Sequence, residues 1–332
     1  MPQRQAQLLA WLQQVCGRDD FDFALASGDA SFRRYFRLSF ADGRTLIAMD
    51  APPDKEDCHP FVDVTARLQQ AGVHVPDILH KDLAQGFMLL EDLGDRLYLG
   101  ELNEASVDRL YGDAIEALIR IQRDGEAHGL PPYDRELLAR EMELFPEWLL
   151  QRHLQLQLSA AESDMLQQAF AALIDNALAQ PRVLVHRDYH SRNLLLCEPR
   201  NPGIIDYQDA VHGPLSYDLV SLLRDCYIRW PLARVDAWLQ DYAAAALEAG
   251  LLQASQHEQL PQWFDLMGAQ RHLKAAGIFA RLYHRDGKSG YLGDIPRTLG
   301  YIVEVAARRP LLQPLAQFIE QRVLPGLAES QA

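Results

Sequence analysis

The spacing of apolar residues predicts a small sheet at the start of the chain. Residues 5–16 place apolar side chains on one face of an amphipathic helix. Strands are then predicted over Ser31–Phe40, Thr45–Met49, Val75–Leu79 and Gly86–Leu90. Asp42-Gly43 is a dipeptide typical of a hairpin turn, and a further helix is predicted over Pro60–Gln70. The first part of the chain is therefore predicted to be a sheet with one helix across it.

From about Gly94 onward, apolar residues recur at intervals of three and four, which is typical of helices that bury one face. Helices are predicted over 106–122, 134–157, 159–179, 215–229, 234–249 and 259–285. Three short β-like runs interrupt this helical part, at Val183–Val185, Leu194–Cys197 and Gly203–Ile205. Polar loops separate these runs and hold the candidate chemistry.

The composition is that of a folded globular protein, with 48% hydrophobic and 23% charged residues in a chain of 332. A formal net charge of −14 would repel a nucleic-acid backbone, so no nucleic-acid partner is expected. The sequence has no apolar run long enough for a membrane span, and its four cysteines form no CxxC pair. We therefore expect a cytoplasmic protein with no membrane association, and no obligate protein partner is indicated.

Polar side chains cluster in two loops beside the short strands. His186–Asn193 reads HRDYHSRN, and Gly203–Asp209 reads GIIDYQD. Asp206 follows Asn193 by 13 residues, which is enough for a hairpin that returns Asp206 to the first loop. Carboxylates from Asp188 and Asp206 and the amide oxygen of Asn193 would suit Mg²⁺, a hard cation that takes oxygen ligands. Such a site supports phosphoryl transfer, which needs positioning, neutralised phosphate charge and one carboxylate that accepts a proton.

The first loop resembles the catalytic loop of protein-kinase-like enzymes, because His186-Arg187-Asp188 matches HRD and Asn193 follows at the expected offset. The second histidine, His190, completes HxDxHxxN and resembles the aminoglycoside phosphotransferase and choline kinase branch. Gly213–Leu219 follows soon after Asp206, which leaves no room for a long peptide-docking segment and implies a small-molecule substrate.

This resemblance implies an α+β, protein-kinase-like bilobal fold. A β-rich N-lobe would span residues 1–93 and a larger helical C-lobe residues 94–332. The resemblance also implies ATP and Mg²⁺ as cofactors. By it, Asp188 would be the catalytic base, Asn193 and Asp206 the magnesium ligands, and Asp218 a carboxylate that supports the loop. A lone buried aspartate beside an arginine is more often a structural ion pair, so the inference depends on the joint pattern.

The nucleotide side matches the family less closely. The segment from Ser27 through Gly28 to Ser31 stands where a phosphate-covering loop is expected, between the opening helix and the first predicted strand, although Ser-Gly-Asp is also an ordinary turn. Met49 stands where a phosphate-pairing lysine is usual. Nearby cations that could replace that lysine, or bind phosphate, are Arg33, Arg34 and Lys55. The stretch from Glu91 to Leu93 ends the predicted sheet and is expected to be the hinge whose backbone meets adenine.

Two helices carry candidate substrate residues. In the helix over 268–285, Arg271 and Lys274 share one side with Arg281 and Arg285, and His272 lies beside them. This stripe is either a solvated charged face or a surface that meets an anionic substrate. Glu141 could accept hydrogen bonds from sugar hydroxyls, and Trp148 could stack on a sugar ring, although an aromatic at helical spacing is usually a core residue. His190 is also placed on the substrate side.

The resemblance extends over most of the chain to the bacterial anomeric kinases of N-acetylmuramate and N-acetylglucosamine. The matching segments are Ser31–Arg37, Met49–Pro53, Leu130–Asp134, Glu141–Trp148 and Gln270–Lys274. In that family Met49 is expected at the lysine position, and the substrate is an amino sugar phosphorylated by ATP on its C1 hydroxyl, a step in cell-wall recycling. The alternatives are a kinase for another small alcohol, such as an aminoglycoside, choline or another sugar, and a nucleotide-binding module without catalysis.

Overall fold

The computed structural model describes residues 2–28 and 32–330 and begins with a five-stranded antiparallel sheet. The strands are β1 (Phe21–Gly28), β2 (Arg34–Phe40), β3 (Thr45–Asp50), β4 (Ile78–Asp82) and β5 (Phe87–Glu91). They pair in the order β1-β2-β3-β5-β4. Two helices accompany the sheet, α1 (Pro2–Cys16) and α2 (His59–Gln70).

Each face of this sheet is covered by one helix. Alternate strand residues such as Phe36 and Leu38 pack with Leu8 and Leu12 of α1. The opposite face, which includes Met49, packs with the buried side of α2 and joins the main core of the molecule. Because successive strand residues point to opposite faces, the α2 face is the one that adjoins the rest of the protein.

The remainder of the chain is mostly helical. Its helices are α3 (Tyr98–Glu101), α4 (Val107–Asp124), α5 (Arg135–Met142), α6 (Ala160–Leu178), α7 (Ser216–Leu223), α8 (Leu232–Glu248), α9 (Ala254–His257), α10 (Leu260–Asp286), α11 (Ile295–Ala306), α12 (Gln313–Phe318) and α13 (Leu324–Ser330). Helix α10 lies at the centre, where it packs against α6, α7, α11 and the π-helical segment Phe145–His153. A 3₁₀ segment, Ser289–Asp294, follows α10 and also packs on it.

Two small antiparallel pairs carry the polar loops. Strand β6 (Arg182–Val185) pairs with β9 (Val211–Pro214), and β7 (Leu194–Leu195) pairs with β8 (Gly203–Ile204). The loop between β6 and β7 contains HRDYHSRN, and the loop between β8 and β9 contains Asp206. The loop with HRDYHSRN therefore ends where β7 begins, and the loop with Asp206 begins where the partner strand β8 ends.

The predicted fold class is confirmed, and most predicted elements are present within a few residues of their expected ends. Three expectations were wrong or incomplete. Strand β1 was missed, so the segment that was predicted to cover the phosphates begins inside β1, at Ser27 and Gly28, and does not lie between a helix and the first strand. The helix predicted over 134–157 is divided, because α5 ends at Met142 and Phe145–His153 is π-helical. Strand β9 and the helices after α10 were not predicted.

Among the described residues, none of the helices combines the length and the apolar character that crossing a bilayer requires.

Candidate active site

The predicted hairpin brings Asn193 and Asp206 together. Leu194 pairs with Ile204 across β7 and β8, and the amide of Ile205 donates to the carbonyl of Asn193 at 3.1 Å. As a result, the Asn193 Nδ2 lies 3.3 Å from the Asp206 Oδ2 and 3.0 Å from the backbone oxygen of Asp188. Both bonds use the amide nitrogen of Asn193, so its amide oxygen remains available as a ligand atom.

Backbone strain helps to define the geometry of both loops. Arg187 has φ 78° and Asp206 has φ 65°, both in the left-handed region that non-glycine residues rarely adopt. The buried carboxylate of Asp218 accepts hydrogen bonds from the amides of His186, at 2.6 Å, and Arg187, at 2.9 Å. These bonds hold the left-handed turn that precedes Asp188.

His186 links the two loops as a neutral imidazole. Its Nδ1 accepts from the amide of Asp188 at 3.2 Å, so its Nε2 carries the proton and donates to the carbonyl of Ile205 at 3.1 Å. Burial lowers the pKa of His186 to about 4. The ring therefore fixes the position of Asp188 relative to the residue that precedes Asp206.

The Asp188 carboxyl lies in a positive environment. Burial would raise its pKa, but the surrounding positive charges, led by Lys274 and including Arg271 and Arg187, outweigh burial and lower it. Asp188 is therefore ionised at neutral pH. An ionised carboxylate in a partly open loop can accept a proton from a hydroxyl group.

The source of this positive field is a buried network around Glu141. Glu141 is 6% exposed and pairs with Arg187 and, at 3.1 Å, with the Nζ of Lys274. The hydroxyl of Tyr133 donates to the same carboxylate. Lys274 also donates to the hydroxyl of Tyr217 at 3.0 Å. The predicted role of Glu141 as an acceptor for sugar hydroxyls does not fit, because its oxygens are already used by these partners.

The basic stripe of α10 is buried at Arg271 and Lys274, half-buried at Arg281 and solvent-exposed only at Arg285. Arg271 is 5% exposed and Lys274 8%, and the Arg271 Nη1 donates to the thiol of Cys226 at 3.4 Å. His272 is 1% exposed, its Nε2 lies 2.9 Å from the carbonyl of Arg224, and its ring stacks on Tyr301. The predicted contact between His272 and a substrate does not fit this arrangement, because the imidazole is enclosed on the side of α10 that packs on α11.

The other two candidate substrate residues differ in their surroundings. Trp148 is half-buried, and the guanidinium carbon of Arg152 lies 4.3 Å from its ring centroid, so one face of the indole is already covered. His190 is 8% exposed and packs edge-on against Tyr227, with ring centroids 5.3 Å apart. Burial lowers the pKa of His190, which is therefore neutral at physiological pH.

On the nucleotide side, the structure places Ser27 and Gly28 at the end of β1, paired with Tyr35 and Arg34 of β2. The predicted site residue Ser31 lies outside the described residues. Arg33 is 7% exposed and pairs with Glu56 at 3.1 Å, so the predicted phosphate contact of Arg33 does not fit.

The usual lysine position on β3 is buried and apolar. Met49 is fully buried and packs in the core beneath the sheet. The next residue, Asp50, is also buried, and Arg34 and Arg4 pair with it. Lys55 lies 3.9 Å from Asp54 at the surface. Each of the three cations considered as a replacement for the lysine therefore has a carboxylate partner in this structure.

The segment after β5 connects the sheet to the β7–β8 hairpin. The amide of Glu91 donates to Asp77 at 2.9 Å within the sheet, and the thiol of Cys197 in the hairpin donates to the carbonyl of Leu93 at 3.4 Å. Asp92 is paired with Arg37 of β2 at 2.6 Å, which fixes this segment against the sheet. Glu91 and Leu93 therefore lie where the sheet meets the helical part.

Sequence analysis missed two residues that shape the site. Asp225 accepts from the amide and hydroxyl of Ser191 and from the amide of Tyr227, so it joins the catalytic loop to the chain after α7. The side chain of Gln208 donates to the Asp206 Oδ1 at 2.9 Å. Asp225 stands in no motif that the sequence singled out, whereas Gln208 lies inside the GIIDYQD motif but was given no role.

The sheet, the helical part and the loop pair between them define a protein-kinase-like fold with a candidate phosphotransfer site. A family model described as the phosphotransferase enzyme family matches residues 22–287, and the chain belongs to this family.

The relatives include proteins named N-acetylmuramate/N-acetylglucosamine kinase. One from Pseudomonas putida is 51% identical over 296 residues, covering 89% of this chain and 87% of the relative. One from Neisseria meningitidis is 44% identical over 325 residues, covering 97% and 96%. Among solved structures, the ADP-bound aminoglycoside phosphotransferase APH(2'')-Ib is 16% identical with a TM-score of 0.59, covering 94% of this chain and 98% of that one. The structural likeness supports the fold, and the sequence likeness supports a phosphotransferase with a sugar acceptor.

Proposed function

We propose that this protein transfers the γ-phosphoryl group of ATP to the C1 hydroxyl of N-acetylmuramate and N-acetylglucosamine. The observation that carries the proposal is the convergence of Asn193 and Asp206 beside the Asp188 loop, in a chain that is about half identical to kinases named for these two sugars. A cytoplasmic location and a role in cell-wall recycling are part of the same proposal.

The site residues fit a magnesium ion held together with a nucleotide. Asp206 supplies a carboxylate and Asn193 an amide oxygen, which are the hard ligands that Mg²⁺ takes from proteins, with phosphate and water oxygens in its other positions. When bound, the ion would neutralise charge on the phosphates. Gln208 and the Asp188 carbonyl hold the two ligand side chains in place before any ion binds.

Asp188 is the proposed acceptor of the proton from the attacking hydroxyl. As the sugar oxygen forms its bond to the γ-phosphorus, the bond from that phosphorus to the leaving oxygen of ADP breaks, and the hydroxyl proton passes to the Asp188 carboxylate. The charges of Lys274 and Arg271 keep this carboxylate ionised. We assign both cations this electrostatic role, because their described partners, Glu141, Tyr217 and Cys226, hold them in the interior.

The nucleotide is proposed to lie between residues 1–93 and 94–332, the two predicted lobes. Ser27 and Gly28 at the end of β1, together with Ser31, would cover the phosphates through their amides and hydroxyls. The segment from Glu91 to Leu93 would face the adenine. This assignment is supported by the connection of that segment to the hairpin through Cys197.

The proposal is tested by product analysis and one substitution. The purified protein with ATP and Mg²⁺ should convert either amino sugar into a product whose ³¹P NMR spectrum shows phosphate on C1. Asp188→Asn keeps the size of the side chain but removes the base, so turnover should fall by roughly 100- to 10,000-fold. Nucleotide binding by the variant should persist. Asp175→Asn, at an exposed position of α6, is a matched control for the loss of one negative charge.

Other outcomes would select an alternative. Phosphorylation of choline, an aminoglycoside or another sugar in preference to these two would show a different small-alcohol kinase. Nucleotide binding without turnover on any tested alcohol would show a binding module. Full activity in Asp188→Asn would remove Asp188 from the reaction.

A further inference from the structure

An exposed cation lies in the catalytic loop, directly before Asn193. The guanidinium carbon of Arg192 is 4.7 Å from the ring centroid of Tyr227 and 5.4 Å from that of Tyr291. Across residues 2–28 and 32–330, no Asp or Glu oxygen lies within 4.0 Å of this guanidinium. Its charge therefore rests against two aromatic faces, and its planar set of donors is open to a ligand.

Hydrogen bonds and a ring contact fix the residues around Arg192. The carboxylate of Asp225 binds the amide of Ser191, at 3.0 Å, and the amide of Tyr227, at 2.9 Å, so the loop and the first aromatic share one anchor. Arg297 donates to the carbonyl of Cys226 at 2.8 Å and pairs with Asp294. This second anchor holds the 3₁₀ segment that carries Tyr291. Tyr291 also stacks on Phe279 of α10, with ring centroids 5.6 Å apart.

A second polar group of this cluster has no protein partner. The Nδ1 of His190 is buried and makes no hydrogen bond within the described part of the chain. His190 packs edge-on against Tyr227, the same ring that Arg192 covers, and its protonation is influenced by the charges of both Asp188 and Arg192. A buried nitrogen without a partner is costly unless a ligand or water satisfies it. The cluster of Arg192, His190, Tyr227 and Tyr291 therefore has the character of a ligand subsite next to the base, and we call it the Arg192 subsite.

We propose that Arg192 binds the carboxylate of N-acetylmuramate. This inference rests on the proposed function and deepens it. The two sugars differ by the lactyl group, which gives N-acetylmuramate a carboxylate that N-acetylglucosamine lacks. A guanidinium binds a carboxylate through two parallel hydrogen bonds, and the two tyrosine rings fix the guanidinium of Arg192 for this contact.

The other cations near Asp188 are less suited to this task. Arg271 donates to the Cys226 thiol from an almost fully buried position, and Lys274 is paired with Glu141. The carboxylate of a substrate would have to displace these buried partners, whereas Arg192 is exposed and has no acidic partner to give up among the residues that the structure describes. The contribution of Arg192 should therefore be selective between the sugars, because only one of them carries the matching charge.

The test compares both sugars in the full-length protein with and without the cation. Arg192→Gln should lower the ratio of kcat/KM for N-acetylmuramate to kcat/KM for N-acetylglucosamine by about 10- to 30-fold, mainly through KM. Arg192→Lys keeps the charge but loses the paired donors, so it should recover part of the ratio. Arg229→Gln is the matched control, because Arg229 also lies over a tyrosine, Tyr301, but is paired with Glu304 at 3.0 Å. It should leave the ratio unchanged.

The outcomes separate this inference from the proposed function. An equal loss with both sugars, or no change in the ratio, would overturn the carboxylate contact while the wild type still supports the kinase assignment. If the wild type phosphorylates neither sugar, the proposed function fails and this inference fails with it. Thermal unfolding of each variant checks folding, and if Arg192→Gln does not fold, an unchanged ratio in Arg192→Lys overturns the proposal.

Discussion

At the scale of single residues, burial changes the role that the sequence suggested for two cations of the site. A helical-wheel pattern identified Arg271 and Lys274 as one stripe of α10, but such a pattern does not say which neighbours cover the stripe. In the structure both cations are buried near Asp188, and Glu141 neutralises part of their charge. Breaking a buried ion pair is costly because it leaves an uncompensated charge. The interior position therefore fixes the cations and directs their field onto Asp188.

The pH dependence of stability should contain a term from His272. Burial lowers the pKa of His272 to about 3, from an ordinary value of 6.5. The folded state therefore binds fewer protons than the unfolded state below pH 6.5, and stability is lost as the pH falls. At pH 5 this single group should cost about 2 kcal/mol. His272→Gln can keep a donor to the Arg224 carbonyl but cannot titrate. Between pH 7 and pH 5, urea unfolding should show a smaller decrease in the free energy of unfolding for this variant than for the wild type.

The control for this prediction is His80→Gln, which removes an exposed histidine of β4. The decrease in its free energy of unfolding between the two pH values should match that of the wild type. If His272→Gln and the wild type lose the same amount, the imidazole does not titrate as its burial requires.

At the scale of elements, short-range patterns predicted the β7–β8 hairpin because all of its determinants are local. The strand signals at β7 and β8 and the polar residues before and after them all lie within residues 188–206. Strand β1 was missed although Phe21, Phe23 and Leu25 alternate, because its end reads as a turn. It is recognisable only through pairing with β2, which includes a register shift between Leu25 and Ser27. Long-range pairing of this kind leaves little trace in the local sequence.

The break between α5 and the π-helical segment is enforced by contact with α10. A Cβ on Gly277 of α10 would lie 2.4 Å from the backbone carbonyl carbon and oxygen of Leu144. Gly277→Ala must therefore separate the two helices and should lower the free energy of unfolding by about 1–3 kcal/mol. Gly112→Ala in α4 meets no atom within 4 Å and should raise it by about 0.5–1 kcal/mol, because alanine favours the helix. Urea denaturation measures both, and the same sign for the two variants would contradict this packing argument.

At the scale of the whole molecule, the β7–β8 hairpin contacts both the segment after α2 and the segment after the sheet. The amide of Ile204 donates to the carbonyl of His74, which follows α2, and the amide of Leu196 donates to Arg96 after the sheet, both at 2.8 Å. A net charge of −14 gives no general attraction for nucleotides, so the proposed nucleotide binding would have to depend on local groups at this junction. The sequence predicted the residues of the hairpin but not its backbone contacts with His74 and Arg96, because these depend on how the sheet and the helical part pack against each other.

One side-chain contact extends this junction from Asp206 to α2. The hydroxyl of Thr65 donates to the carbonyl of Phe61 at 2.7 Å, so the hydroxyl of Tyr207 must be the donor in its 2.9 Å bond to Thr65. Both side chains are buried, and Tyr207 also packs on Phe61. Removing the Thr65 acceptor should therefore destabilise the protein more than removing the Tyr207 hydroxyl. A buried hydroxyl donor without a partner keeps its full desolvation cost.

This asymmetry predicts that substitutions at Thr65 in α2 and at Tyr207, next to Asp206, have non-additive effects on stability. Thr65→Val leaves the Tyr207 hydroxyl without an acceptor and should cost about 1–3 kcal/mol. Adding Tyr207→Phe removes the unpaired donor, so the double variant should be more stable than Thr65→Val alone. Urea unfolding of the wild type, the two single variants and the double variant measures this difference. If the two losses simply add, the hydroxyls do not interact and α2 is held to the Asp206 loop by apolar packing alone.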